Sequence, residues 1–428
     1  MDMQLLIRLA LRILALALKF ALTIVLARSL GFAAVAGYGL ALAVSVVSSK
    51  ILGLGFSTEI NRRLSLSDPT DAIREVGRLL LLYCVVYGAI AAVVAMLHGS
   101  SEFARIRPTI LWGVVLVAFS EHAGLETTSY VFSLHRPRAG AMLLFVRTGA
   151  WAGVAIIGLL VHAVRSVEVI FMLWWTTNVI TAITACWLIW RRSIEVGLVD
   201  ADQSPRNLRG GRSVWIDGMP FFVATIMLSG LQYAERFIAS GVMAADALGR
   251  YVFSWSISNA IQTIAYATIA VTAGPRLIRV LSVADGDFWR TLRSSVRSSA
   301  CITIIAAAAI LIVHKSIFRI AHEPAGGAEF MTLLTLLASF VLRSIADIYW
   351  CAAVALRLGM RVAIAVSVVA SVSIPLEWLL VTRLGVVGAA LAHLMASTVI
   401  VILLIVLVMR AHTVTVVGIE NRSSLHVS

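Results

Sequence analysis

The sequence predicts an all-α polytopic membrane protein with twelve transmembrane helices. Hydrophobic residues make up 60% of its 428 residues and charged residues only 13%, with a mean hydropathy of +0.95. Soluble globular domains are about 45–50% apolar and about 25% charged, so the excess apolar surface must face lipid. Twelve spans of about 20 residues would use roughly 240 residues and leave no room for a separate catalytic domain.

Hydropathy in windows of about 19 residues locates the spans in chain order. We interpret the first as a span and not a cleaved signal peptide, because Arg8, Arg12 and Lys19 interrupt it and no small-residue cleavage site closes it. The predicted spans are 5–27, 32–53, 77–98, 108–131, 140–163, 168–190, 214–240, 247–274, 297–315, 330–352, 362–381 and 385–409.

Basic residues are unevenly distributed over the predicted loops. Both termini and the even-numbered loops, with the adjoining helix edges, hold 22 Lys and Arg, against 8 in the odd-numbered loops. The positive-inside rule therefore predicts that both termini are cytoplasmic. The formal net charge of +13 is then explained by loops that face anionic lipid head groups, and we expect no nucleic-acid partner.

The chain lacks the motifs of common enzyme and metal sites. None of its three lysines follows a glycine, so no Walker A loop is present. We expect neither an enzyme nor a bound cofactor, and no disulfide framework or metal site. The cysteines, which all fall within predicted spans and form no C-x-x-C pair, are Cys84, Cys186, Cys301 and Cys351.

A weak internal repeat relates the two halves of the chain. A shift of 213 residues lays residues 18–64 on 231–277 without a gap and places Tyr38 on Tyr251. Because the shift covers an even number of spans, the sequence predicts two six-helix lobes related by an axis along the membrane normal. The predicted domains are an N-terminal lobe at 1–199, a cytoplasmic linker at 200–213 and a C-terminal lobe at 214–428.

Two segments carry a family resemblance. LARSLGFAAVAGYGLALAV followed by LGLGFSTEINRRL, and later YAERFIASGVMAADALGRYVFSWSI, resemble polysaccharide and O-antigen flippases. These belong to the multidrug/oligosaccharidyl-lipid/polysaccharide exporter superfamily. The resemblance implies a multi-pass protein of the bacterial inner membrane, with a central, alternately accessible cavity lined by spans 1, 2, 7 and 8. It also implies three kinds of partner: a lipid-linked glycan substrate, membrane lipids and other polysaccharide-assembly proteins.

Polar residues form stripes on spans 1, 7 and 8. At 100° per residue the polar side chains of span 1 fall within about 60°, those of span 7 within about 140° and those of span 8 within about 120°. A polar or ionisable group at membrane depth costs about 2.5–3.5 kcal/mol on insertion scales, so such stripes are expected to face a cavity. The predicted substrate-cavity residues are Lys19, Arg8, Arg12, Thr23, Lys50, Arg147, Ser229, Gln232, Arg236, Asn259, Gln262 and Tyr266.

Some of these residues have a structural alternative. Arg147 could be paired by Glu121 or Glu126 of span 4, and Lys50 could reach the membrane surface by snorkelling. Lys19 is different, because span 1 contains no carboxylate. Its partner must come from another helix or from the substrate, and we expect it, with Arg8 and Arg12 at the cytoplasmic mouth, to contact the pyrophosphate or an acidic sugar of a lipid-linked glycan.

The energy source is an open question at the level of sequence. Without a nucleotide site, a substrate gradient, the membrane potential or a coupled ion must drive transport. Glu126, Asp217 and Glu377 are the candidate ion-coupling carboxylates. The alternative is a role in helix packing, as expected for Arg343 and Asp347, which are spaced i, i+4 on one helix.

Two other functions compete with the flippase. A multidrug/cation antiporter of the same superfamily would share the fold, but the resemblance to those proteins leads us to expect an acidic residue in span 1, which this chain lacks. A membrane glycosyltransferase or polymerase would be expected to carry a long external loop with catalytic groups. The longest predicted external loop, around 316–329, holds only Glu323 and Glu329 as acids.

Overall fold

The computed structural model describes residues 3–65, 70–98, 107–195, 211–282, 287–323 and 326–424, and these contain helices and no strand. Two π-helical turns interrupt the helices, at Val146–Ala150 and Tyr266–Ala270. The α-helices are α1 (Met3–Leu30), α2 (Phe32–Leu52), α3 (Ser57–Leu64), α4 (Thr70–His98), α5 (Pro108–Ser133), α6 (Pro137–Phe145), α7 (Trp151–Leu160), α8 (Val167–Glu195), α9 (Gly211–Val242), α10 (Ala245–Ala265), α11 (Val271–Ser282), α12 (Phe288–Ile320), α13 (Gly327–Ala355) and α14 (Gly359–Ser424).

The all-α prediction is confirmed. Large apolar side chains cover the outside of these helices, as a lipid-facing surface requires: Leu81 is 68% exposed, Met96 79% and Ile312 81%. In water such a surface would be strongly unfavourable. The helices are therefore those of a multi-pass membrane protein.

Ten helical segments in the described part of the chain are long and apolar enough to cross a membrane. The last, Gly359–Ala411, joins two helices at Gly385, whose φ of 57° lies in the left-handed region that favours glycine. The described part of α9 is not among the ten, and it carries Gln232, Glu235 and Arg236. A count of twelve spans stays a prediction.

The chain divides into two compact units, Met1–Phe222 and Val223–Ser428. Most of the predicted linker, residues 200–210, lies outside the described residues, and the boundary between the units falls inside α9. In the first unit α5 contacts α2, α3, α6 and α8, while α1 packs on α7 and on the π-helical turn before it. This arrangement surrounds the polar residues of α5 with other helices.

The second unit is organised around α13. This helix contacts α10, α11, α12 and α14, and its apolar side chains join a core of buried Leu, Ile, Val and Ala residues. Phe340 of α13 is fully buried and meets the ring of Trp255 of α10 edge-on, with centroids 5.0 Å apart. Ionisable side chains of α9, α13 and α14 are enclosed by this apolar packing.

Candidate functional site

Glu121 of α5 is the centre of a buried polar cluster in the first unit. Its Oε1 accepts a hydrogen bond from Arg147, which lies on the π-helical turn Val146–Ala150. Its Oε2 accepts from Trp174 Nε1 at 2.9 Å and from Asn178 Nδ2 at 2.8 Å, both on α8. Of the two carboxylates that could pair with Arg147, the structure selects Glu121, and both Glu121 oxygens are occupied.

Lys19 of α1 lies beside this cluster without joining it by a hydrogen bond. Its Nζ is 5.8 Å from the ring centroid of Trp174, and its charge interacts with those of Glu121 and Arg147. Trp174 is itself stacked on Trp151, with ring centroids 5.0 Å apart. Within the described residues the half-buried ammonium of Lys19 has neither an ion pair nor a hydrogen bond. Its three N–H donors are available to a ligand.

Glu126, one and a half turns further along α5, is occupied in a similar way. Its Oε1 accepts from Ser57 Oγ at 2.6 Å and its Oε2 from Tyr130 at 2.9 Å. His122 Nε2 lies 4.0 Å from Oε1, and the other ring nitrogen of His122 is hydrogen-bonded to Tyr87 at 2.5 Å. The carboxylate is enclosed by hydroxyl groups and an imidazole.

Lys50, in the last turn of α2, is placed near Glu126 as Lys19 is placed near Glu121. Its charge interacts with those of Glu126 and Arg147, and its side chain is half-buried. In the part of the chain that the structure describes, Lys50 makes no hydrogen bond or ion pair. The first unit thus presents two lysines whose nearby carboxylates already accept hydrogen bonds from other groups.

The other predicted residues of span 1 contribute less to this cluster. Thr23 is buried, and its hydroxyl donates to the backbone carbonyl of Lys19 at 3.2 Å, so it has no proton left for a ligand. Arg12 is half-buried. The side chain of Arg8 lies outside the described residues.

In the second unit, Arg236 of α9 is fully buried between aromatic rings. Its Cζ lies 3.7 Å from the ring centroid of Trp255 and 5.0 Å from that of Tyr233. Cation–π contacts of this kind stabilise a desolvated guanidinium by about 2 kcal/mol. The neighbouring Glu235 is also fully buried and accepts a hydrogen bond from Tyr251 at 2.9 Å.

Glu377 of α14 is the least satisfied ionisable group in the described part of the second unit. It is 2% exposed, and neither carboxylate oxygen has a hydrogen-bond partner there. Its charge interacts with those of Glu235 and Arg343. An ionised carboxylate without a partner in an apolar interior is very unfavourable, so this position requires a proton or a cation.

Arg343 and Asp347 of α13 do not form the expected ion pair. Arg343 Nε donates to Ser397 Oγ at 3.1 Å, and Asp347 Oδ2 accepts from Gln262 Nε2 at 2.8 Å. The two side chains therefore connect α13 to α14 and to α10. Polar groups of neighbouring helices replace the partner on the same helix.

The remaining predicted residues of spans 7 and 8 differ in how exposed their side chains are. Gln232 and Asn259 are half-buried, Ser229 is 9% exposed and Tyr266 is 45% exposed. Gln262 is half-buried and uses its amide nitrogen for Asp347. The side chain of Asp217 lies outside the described residues.

Several buried polar residues were not singled out from the sequence. His393 of α14 is 1% exposed and its Nδ1 is 2.6 Å from Ser339 Oγ of α13, while His122 and Asn178 line the clusters of the first unit. The available signal was a histidine or an asparagine in the middle of an apolar span. Among the described residues, no group of three His, Cys, Asp or Glu side chains could hold a metal ion.

No protein-family model and no curated protein matches the chain, whereas solved structures do. An inward-facing MATE-family multidrug resistance transporter of the MOP superfamily is 16% identical with a TM-score of 0.67, and the match covers 96% of this chain and 98% of that one. Lipid II flippase MurJ in an inward closed conformation is 13% identical with a TM-score of 0.62, covering 94% and 87%. A Vibrio cholerae MATE transporter is 13% identical with a TM-score of 0.61, covering 95% and 96%.

These likenesses show that the chain has the fold of the MATE transporters and of MurJ. The matched proteins named above are transporters and a flippase. At 13–16% identity, these likenesses establish the fold and nothing about the substrate.

Proposed function

We propose that this chain is a flippase that moves a lipid-linked oligosaccharide, a glycan on polyprenyl pyrophosphate, across the bacterial cytoplasmic membrane by alternating access. The glycan would serve polysaccharide export, as for O-antigen or exopolysaccharide, together with other polysaccharide-assembly proteins. The observation that carries the proposal is the pair of half-buried lysines, Lys19 and Lys50, with no ion pair among the described residues. The MOP-superfamily fold and the likeness to MurJ support it.

A pyrophosphate matches the charge of the first unit. The carboxylates beside the lysines, Glu121 and Glu126, already accept hydrogen bonds from other side chains. The lysine ammonium groups therefore bind an external anion without first breaking an internal ion pair. Hydrogen bonds between charged groups are about twice as strong as neutral ones, so two ammonium donors would hold a diphosphate firmly. Arg12 of α1 is proposed as a third cation for the pyrophosphate, after Lys19 and Lys50. Arg8 is a further candidate for this contact.

Polar side chains of α9 and α10 are proposed to contact the sugars. Gln232 and Asn259 are half-buried, and the side-chain oxygen of Gln262 has no hydrogen-bond partner in the described residues. Neutral amides form weaker hydrogen bonds than charged groups. They would bind sugar hydroxyls loosely enough for release.

Glu377 is the proposed ion-coupling residue. Its two oxygens have no partner in the described part of the chain, so a proton or a cation would complete the site. Glu126 is a weaker candidate because Ser57 and Tyr130 already donate to it. Asp217 remains a candidate from sequence.

A multidrug/cation antiporter is the second candidate function. Glu377 favours it, because a buried carboxylate without a hydrogen-bond partner among the described residues could bind an organic cation, and the MATE transporters share the fold. The cationic excess of the first unit opposes it, because Lys19 and Lys50 would repel such a substrate.

Substitution of the two lysines tests the flippase directly. The purified full-length protein is reconstituted in vesicles with a fluorescent polyprenyl-pyrophosphate oligosaccharide, and the fraction that reaches the opposite leaflet is followed over time. We expect Lys19→Gln and Lys50→Gln each to slow flipping about tenfold, because each removes one charge-assisted contact. The matched control is Lys315→Gln, which changes the third lysine, exposed on α12.

Two results would contradict the proposal. One is equal flipping by the wild-type protein, Lys19→Gln and Lys50→Gln at equal protein levels. The other is transport of a labelled organic cation, but not of the glycan lipid, by the wild-type protein. The second result would establish the antiporter.

A further inference from the structure

A basic groove at the beginning of α12 has no part in the proposed transport. It has a volume of about 470 Å³. The residues that line it are Asp287, Trp289, Arg290, Arg293, Ser294 and Arg297. Three of these six side chains are guanidinium groups, and one is a carboxylate.

The three arginines share one face of the helix. Positions 290, 293 and 297 are spaced i, i+3 and i+7, which places them in one row about 10 Å long. Arg290 Nε pairs with Asp287 Oδ2 at 3.2 Å. Arg293 and Arg297 are exposed and make no ion pair or hydrogen bond among the described residues. Two positive charges of the groove are left without a counter-ion there.

The groove lies beside the lipid-facing part of the same helix. Phe288, immediately before the row, is buried in the apolar core of the second unit, and the ring of Trp289 packs edge-on against it at 5.8 Å. Further along α12 the apolar surface begins, with Ile304 55% exposed and Ile305 69% exposed. An arginine row next to a tryptophan, about two turns before a lipid-facing surface, is at the depth of the phospholipid head groups.

We propose that this groove binds the phosphate of an anionic phospholipid. Arginine presents a planar fork of donors that matches phosphate oxygens, and two such forks without counter-ions supply both the charge and the geometry. The predicted loop between spans 8 and 9 contains Arg290 and Arg293 and adjoins Arg297. This loop is predicted to face the cytoplasm, where anionic lipids attract basic segments. The positive-inside rule explains why the loop is basic. The groove and the shared helix face go further, because they indicate that Arg293 and Arg297 bind a lipid phosphate.

Lipid titration of the full-length protein in neutral detergent tests the site. Cardiolipin, phosphatidylglycerol, phosphatidylcholine and inorganic phosphate are each added, and bound lipid is counted by native mass spectrometry. We expect the wild-type protein to bind the two anionic lipids at least tenfold more tightly than phosphatidylcholine. The double variant Arg293→Gln/Arg297→Gln should lose this preference, whereas Arg319→Gln, an exposed arginine at the other end of α12, should keep it.

A charge-retaining variant separates the site from a loss of folding. Arg293→Lys/Arg297→Lys should keep part of the preference, because it retains the charge and loses the fork. The proposal is wrong if the Gln double variant, with an unchanged unfolding temperature in phosphatidylcholine, still prefers anionic lipid. It is also wrong if inorganic phosphate binds as tightly as the lipids. Neither result depends on transport, so the flippase proposal is tested independently.

Discussion

At the residue scale, a single carboxylate organises the interior of the first unit. Glu121 accepts hydrogen bonds from Arg147, Trp174 and Asn178, which come from the π-helical turn and from α8. These contacts hold the indole of Trp174 beneath the ammonium of Lys19. Glu121 therefore fixes the surroundings of Lys19 while its own two oxygens accept hydrogen bonds from other side chains.

Glu121→Gln tests this role through stability. The substitution leaves Arg147, which is 5% exposed, without its counter-ion. Removal of one partner of a buried ion pair costs about 3–5 kcal/mol. We expect a lowered unfolding temperature in detergent, measured by intrinsic tryptophan fluorescence.

The double variant Glu121→Gln/Arg147→Met provides the control. Because it removes both charges, it should unfold at a higher temperature than Glu121→Gln alone. A Glu121→Gln protein as stable as the wild type would show that Arg147 finds another partner.

The predicted site residues differ in how well the sequence could place them. Lys19 was identified because no carboxylate occurs in span 1, and the structure gives it no ion pair in the described residues. The sequence could not decide which carboxylate pairs with Arg147, since Glu121 and Glu126 lie on the same helix only five positions apart. His122 and His393 were missed because a histidine in an apolar span has no pattern of its own, and its partners come from other helices.

At the element scale, α1 approaches the π-helical turn Val146–Ala150 very closely. A Cβ atom added to Gly149 would lie 2.7 Å from Cα of Ala15, a distance that real side chains do not adopt. Ala15 precedes Lys19 by one turn of α1. The close contact therefore sets the position of Lys19 relative to Arg147, two residues before Gly149.

A pair of glycine substitutions measures this contact. Gly149→Ala should push α1 away and destabilise the protein by about 1–3 kcal/mol, the usual cost of overpacking. At Gly153, one turn further on, an added Cβ would be 3.6 Å from Leu18, which is ordinary contact. Gly153→Ala should therefore be neutral or slightly stabilising, because alanine is the better helix former.

The unfolding temperatures of the two variants show whether the contact between α1 and Gly149 is as tight as the structure indicates. Flipping rates are a second measurement. Gly149→Ala should also slow flipping if the position of α1 matters for Lys19. Equal stability of the two variants would mean that α1 and its neighbour shift apart at no cost.

Hydropathy was sufficient to predict most of the long helices, but neither the short α3 nor the interruptions of the helices. The predicted span 108–131 corresponds to Pro108–Ser133, and 168–190 to Val167–Glu195. The π-helical turn that carries Arg147 could not be predicted, because a polar residue within an apolar run leaves the average hydropathy almost unchanged. The bend at Gly385 was predicted only as a boundary between two spans.

At the scale of the whole molecule, the two units differ in the sign of their buried charge. The clusters around Glu121 and Glu126 in the first unit hold three basic side chains against two acidic ones, and the enclosed ionisable groups of α9, α13 and α14 in the second unit are two basic against three acidic. The basic residues are Lys19, Lys50 and Arg147, then Arg236 and Arg343; the acidic residues are Glu121 and Glu126, then Glu235, Asp347 and Glu377. This division suits an anionic substrate in one unit and a cation in the other.

Glu377→Gln tests the cation role of the second unit. If one proton is coupled to each transport cycle, a gradient of one pH unit is worth about 1.4 kcal/mol and should change the distribution of the glycan lipid between leaflets about tenfold. The neutral amide keeps the shape of Glu377 and cannot carry the proton. In vesicles with an imposed pH gradient, we expect the wild-type protein and Glu329→Gln, at the start of α13, to respond. Glu377→Gln should reach an equal distribution with or without the gradient, whereas a full response by this variant would assign the coupling to another carboxylate.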